Sequence, residues 1–156
     1  MKTNEIFYKI QQALSLKPEE IVSIFAQMEY PLTKEAIVAR LVRYTDKSFQ
    51  ECSYEELGIF LDGLIAFKRG EILHKEEKEV VLTNNLILKK LRIALELKES
   101  EIEIIFALVD IILTKQQIKS LFRKEEHKNF KICSDALLFS FLEGLDEFYY
   151  EGEEVL

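Results

Sequence analysis

Residues 4–26 read NEIFYKIQQALSLKPEEIVSIFA, and residues 85–107 read NLILKKLRIALELKESEIEIIFA. Set against each other at an offset of 81, twelve of these 23 positions carry the same residue, from Asn4/Asn85 to Ala26/Ala107. The register continues without a gap through Leu32/Leu113, Thr33/Thr114, Lys34/Lys115, Cys52/Cys133, Ser53/Ser134 and Gly63/Gly144 to Phe67/Phe148. Residues 4–70 against 85–151 then give 26 identities in 67 positions. Identities so numerous and so evenly spread mark a duplicated module.

Inside each module the apolar residues recur with helical spacing. Ile6, Ile10, Ala13 and Leu14 stand at i, i+4, i+7 and i+8, and Ile87, Leu91, Ala94 and Leu95 repeat them, which describes one face of an amphipathic helix. A second helix is predicted from Pro18, which suits the first helical position, with Glu19 and Glu20 at its positive end and Ile21, Ile24, Phe25 and Met28 as its face. A third begins at Thr33 or Thr114, whose hydroxyl can cap free backbone N–H groups, and Thr114-x-x-Gln117 has the capping-box form. The fourth begins at Ser53, where Ser53-x-x-Glu56 reads as another capping box, and at Ser134. Its face is Leu57, Phe60, Leu61, Leu64 and Phe67, repeated as Leu138, Phe141, Leu142, Leu145 and Phe148. Four helices per module give eight.

The rest of the composition agrees. Among 156 residues only five are Gly and two Pro, too few turn-formers for a many-turned β-sandwich or barrel. The expected fold is all-α, two homologous four-helix modules packed about a pseudo-twofold axis, with boundaries at 1–70 and 85–156. Between them residues 71–84, EILHKEEKEVVLTN, read as a partly ordered charged linker whose Val80 to Leu82 could dock. A 67-residue module alone would bury only about 60% of its unfolded surface, so the two copies are expected to share a core. No run approaches the roughly 18 uncharged apolar residues that a membrane span needs, and MKTNEIFYKI has no apolar signal core, so the expected location is the cytoplasm.

Chemistry-bearing constellations are sparse. The two histidines, His74 in the linker and His127 in a charged stretch, have no partner at triad or ligand spacing, and Asp46 takes the place of His127 in the first module. No glycine-rich phosphate loop is present. Gly63 and Gly144 fall inside helices, where they would let neighbouring helices approach closely. Cys52 and Cys133 are one position counted twice, and a small buried residue at a helix entrance accounts for them better than a redox or metal pair. No cofactor is expected.

Charge is segregated, and this is more informative than the total of −7. Residues 33–50 hold four bases (Lys34, Arg40, Arg43, Lys47) against two acids. Residues 114–131 hold six (Lys115, Lys119, Arg123, Lys124, Lys128, Lys131) against two, whereas 133–154 hold seven acids and no base. The second and third helices outline a helix-turn-helix that could present Lys34, Arg40 and Arg43, or Lys115, Lys119, Arg123 and Lys124, to phosphates or base edges. Its turn is longer than the usual tight one, and the net charge opposes non-specific DNA affinity.

The string Asn85-Leu-Ile-Leu-Lys-Lys-Leu-Arg-Ile-Ala-Leu-Glu-Leu97, followed by His127-Lys-Asn-Phe130, Cys133 and Phe141-Leu-Glu-Gly-Leu145, resembles the YehS-like family of small bacterial proteins. Members carry two copies of a domain of unknown function, so the resemblance implies the tandem organisation and brings no substrate, cofactor or catalytic residue with it. The first module departs from the pattern at Gln11, which stands in place of Arg92, and at Arg40, which occupies a position more usually apolar. The leading expectation is a non-enzymatic regulatory or protein-binding module acting through the basic third helices and the groove between modules, with homo-oligomerisation open. Nucleic-acid recognition through the same helices is the alternative. An enzyme is the third, requiring carboxylates and Cys to converge in a pocket.

Overall fold

The computed structural model describes residues 2–70 and 81–150, and within them the chain forms eight helices and no strand. The first module contains α1 (Lys2–Leu14), α2 (Pro18–Gln27), α3 (Lys34–Leu41) and α4 (Tyr54–Arg69); the second contains α5 (Asn84–Leu95), α6 (Glu99–Ala107), α7 (Lys115–Phe122) and α8 (Asp135–Tyr149). The part of the linker at 71–80 and the acidic end at 151–156 lie outside the described residues. Of the linker's last residues, Leu82 packs against the core, Val81 is exposed, and Thr83 caps α5.

The helix starts follow from side chains that satisfy otherwise free N–H groups. Thr33, Ser53, Thr83, Thr114 and Ser134 each accept from the backbone N–H three residues on. Gln117 returns the bond to the Thr114 N–H at 2.8 Å, completing the capping box. The box expected at Ser53 is only half formed: Glu56 does not turn back to Ser53, because its carboxylate is held by Arg40. At α2 and α6 the cap is one-sided in the opposite sense, with Glu20 and Glu101 accepting from the N–H groups of Lys17 and Lys98 at 2.9 Å.

Each module is closed by an asparagine. The Asn4 amide donates to the carbonyls of Arg40 and Gln50 and its oxygen accepts from the Cys52 N–H, at 3.0–3.1 Å. Asn85 makes the same three bonds to Leu121, Lys131 and Cys133, at 2.8–2.9 Å. The preceding residue, Thr3 or Asn84, donates to the carbonyl of the same cysteine. The loop from the third to the fourth helix is therefore tied to the first helix from both sides of Cys52 and Cys133. This explains why the duplication has kept Asn and Cys together, and why both thiols are buried.

The modules pack through an exchange of helices. The main contacts of α1 are with α8, and those of α5 are with α4. Swapping the modules maps α1 onto α5 and α8 onto α4, so the two contacts are one interface seen twice, as a pseudo-twofold relation requires. Ion pairs obey the same relation: Lys9 faces Glu143 across one copy of the interface and the equivalent Lys90 faces Asp62 across the other. One apolar cluster runs through both modules, from Ile6, Phe7 and Ile10 to Phe141, Leu142 and Leu145. Its first-module half is aromatic at the centre, with Phe7 edge-on to Phe60 at 4.9 Å and to Phe25 at 6.4 Å. The helical glycines serve close approach, as expected: a Cβ on Gly63 would lie 2.5 Å from the Ile24 carbonyl oxygen, and one on Gly144 2.2 Å from that of Ile105.

Candidate functional site

The seven cations singled out from the sequence meet different fates. Lys34 is paired with Glu19 at 2.6 Å; the shared hydrogen bond raises the lysine and lowers the carboxyl from their ordinary pKa values. Arg40 does not lie on a contact surface, which corrects the expectation drawn from its place in a basic helix. It is 9% exposed, and its guanidinium grips the Glu56 carboxylate at 2.7 and 3.3 Å while Nη1 also donates to the Ala36 carbonyl and the Gln50 side chain. At the equivalent places in the second module stand Leu121 and Leu137, both part of or packed on the core. Arg43 is exposed in the turn after α3.

In the second module Lys115 and Lys119 lie on the exposed side of α7, opposite the buried Ile118 and Leu121. Lys119, Arg123 and Lys124 line a shallow, open cleft of about 590 Å3. Arg92, Phe122 and His127 complete its wall, with Glu126 as the one carboxylate among the lining residues. None of Lys115, Lys119, Arg123 and Lys124 makes an ion pair among the described residues.

Four of the lining residues, Arg92, Phe122, Glu126 and His127, were not selected from the sequence. Arg92 donates through Nε to the Leu97 carbonyl at 3.2 Å and lies over the face of Phe122, 4.7 Å from the ring centroid. Gln11, its counterpart, makes the corresponding bond to Leu16 at 2.8 Å. The structural task at this position is therefore met by an amide; the guanidinium performs it and still has its two terminal nitrogens in hand. His127 accepts from the Asn129 N–H through Nδ1 at 3.0 Å, repeating the turn that Asp46 makes by accepting from the Ser48 N–H. With Nδ1 accepting, the neutral ring carries its proton on Nε2. The exchange of Gln11 for Arg92 and of Asp46 for His127, each at a place where the two copies make the same hydrogen bond, was the available signal.

The cysteines supply no thiolate. Burial pushes the Cys52 thiol up to about 12 and that of Cys133 up to about 11, and both are free of disulfide. Among the described residues no group of three or more His, Cys, Asp or Glu is placed to hold a metal ion, and no helix is long and apolar enough to cross a membrane.

Comparison with known proteins places these features in a family. A profile described as "Protein of unknown function (DUF1456)" matches twice, at residues 3–70 and 84–149. The chain is 35% identical over 147 residues to "Uncharacterized protein YehS" of Escherichia coli (strain K12), an alignment that covers 93% of this chain and 94% of that one. No solved structure matches it significantly. With both modules matched and nearly the full length aligned, the chain belongs to the DUF1456 family of tandem-repeat proteins that includes YehS.

Proposed function

We propose that the protein is a non-enzymatic binding module whose contact surface is the exposed side of α7 with the turn that follows it, and whose partner is a protein presenting an acidic surface. One observation carries the reading. The duplication began with equivalent third helices, yet in the first Lys34 is paired with Glu19 and Arg40 is buried against Glu56, which leaves Arg43 as its exposed candidate, while in the second Lys119, Arg123 and Lys124 stand unpaired among the described residues around an open cleft. Unpaired cations held around a concavity supply the electrostatic complementarity that sets specificity and association rate.

The test is capture from a bacterial lysate at low and high salt, with wild type and with Lys119→Glu/Arg123→Glu/Lys124→Glu. A partner enriched by the wild type, released by salt and lost with the triple variant supports the reading; a partner retained by the triple variant sinks it. Nucleic acid is the second reading, favoured by the capped α6–α7 hairpin with Lys115 and Lys119 on its outer side. It requires a gel shift of duplex DNA whose affinity falls with salt at a slope of about −0.9 per phosphate contacted. The net charge of −7 opposes it.

A further inference from the structure

We propose that the second-module cleft is a site for a phosphoryl group, with the terminal nitrogens of Arg92 as its central contact. This rests on reading the α7 side as a binding surface and names the chemistry it recognises.

Arg92 is held on two sides. Its Nε is committed to the Leu97 carbonyl and its guanidinium carbon lies over the Phe122 ring, so the side chain is held by a hydrogen bond at one edge and by the ring beneath it. The two Nη groups make no hydrogen bond among the described residues and are not buried without a partner. A guanidinium fixed in this way is a forked donor whose ordering cost was met on folding, and the fork matches two oxygens of a phosphate or carboxylate. Around it stand Lys119, Arg123 and Lys124, and the Nε2–H of His127 adds a neutral donor. Four cations against Glu126 leave the wall at +3 with His127 neutral. That suits a phosphate monoester, with a charge of about −1.5 to −2 at neutral pH, better than a single carboxylate.

The first module shows that the site is an addition and not a by-product of packing. There the positions of Arg92, Lys119, Phe122, Arg123 and His127 are Gln11, Val38, Leu41, Val42 and Asp46, only Lys124 among the four cations has a cationic counterpart, Arg43, and the fold is the same. Converting Arg92 to Gln therefore removes the fork and keeps the Leu97 bond.

The experiment is an NMR titration of backbone amides and arginine Nε–H signals in the full chain. The probes are inorganic phosphate, a short peptide with one phosphoserine, and the same peptide with Glu in its place. Saturable shifts at Lys119, Arg123, Lys124, His127 and the Arg92 Nε–H are expected with a phosphoryl probe. Tighter binding of the peptide than of phosphate assigns the group to a phosphorylated protein, and equal binding to a small phosphate ester or free phosphate. Arg92→Gln is expected to weaken binding by about tenfold or more, the loss of a charge-assisted bidentate contact. Lys47→Gln, which removes the same charge from an exposed position of the first module that lines neither this cleft nor the concavity beside it, is expected to change it less than about twofold, as a screened surface charge does. The proposal is overturned if no phosphoryl probe saturates, if the Glu peptide binds as well as the phosphopeptide, or if Arg92→Gln and Lys47→Gln behave alike. Should that happen while the triple variant still abolishes partner capture, the phosphoryl assignment alone fails; a triple variant that keeps its partner removes the α7 reading itself.

Discussion

Replacing Arg40 by Leu should cost about 3–5 kcal/mol, while replacing Arg40 and Glu56 together by Leu should be neutral or stabilising by up to about 4 kcal/mol. The pair is 2.7 Å apart with side chains only 10% and 11% exposed. At that distance, with an effective dielectric constant near 20, the attraction is about 6 kcal/mol, and dehydrating two ions costs several kcal/mol each. The two terms nearly cancel, so little net stability rests on the pair. Removing Arg40 alone deletes the attraction and leaves the Glu56 carboxylate still largely dehydrated; the lost bonds to Ala36 and Gln50 add to the cost. The double replacement removes both ions at once and installs the residues that the second module uses, Leu121 and Leu137. Urea unfolding followed by circular dichroism would yield the four corners of the cycle. For a chain of this length a loss of 3–5 kcal/mol corresponds to a melting temperature lower by roughly 6–20 °C. The reasoning is refuted if Arg40→Leu falls within about 1 kcal/mol of wild type, or if the double variant is as unstable as the single one.

Other expectations follow from the same contacts. Gly144→Ala should destabilise by about 3 kcal/mol or more, because its Cβ would meet a backbone oxygen at 2.2 Å, whereas Gly58→Ala, with nothing within 4 Å, should stabilise α4 by about 0.5–1 kcal/mol. Thermal melts compare them, and the same sign for both would contradict the packing described. Asn85→Ala leaves the Cys133 N–H and the Leu121 carbonyl without their partner, the Lys131 carbonyl being open to water, and should cost about 1–3 kcal/mol in a denaturant titration; a cost below about 0.5 kcal/mol would show that water replaces the whole clamp. Both thiols have folded pKa values raised above the ordinary value of 9.0, to about 12 and about 11. The native state then binds more protons than the unfolded one between these limits, so stability is intact below pH 9.0 and declines as pH rises through the folded values. Thiol labelling of the native protein at pH 8 should be slow at both sites, and rapid modification of either would contradict its burial.

Repeat, helices, caps and close-packing glycines were legible because each leaves a local mark: an offset, a 3.6-residue period, Thr or Ser before an apolar run. The exchange of α1 and α5 between modules left none. A buried helix face has the same period whichever neighbour covers it, so the period could not show that α8 lies on α1. Arg40 misled for a related reason. Its basic neighbours suggested a solvated helix, and Glu56 was accounted for locally by Ser53, yet the two are joined 16 residues apart. Reading the copies against each other would have exposed them, since Arg40 and Glu56 both become Leu. The same reading exposes Arg92, which a search for familiar catalytic patterns passes over because a lone arginine on a helix belongs to none.

The swapped packing of α1 and α8, mirrored by α5 and α4, has a bearing on ancestry. A chain of one module would leave its first and last helices uncovered, and a second copy of itself would cover them, so the ancestral form fits a symmetric homodimer. Fusion made that association intramolecular and independent of concentration. It also broke an obligation. In a homodimer every substitution arrives twice, so a cleft with four cations would have to appear on both halves, and a charged pair could not be buried in one half while leucines filled the other. Once the halves were joined, each could change alone. One now holds Arg40 and Glu56 in its interior, and the other has gathered Arg92, Lys119, Arg123 and Lys124 at its surface.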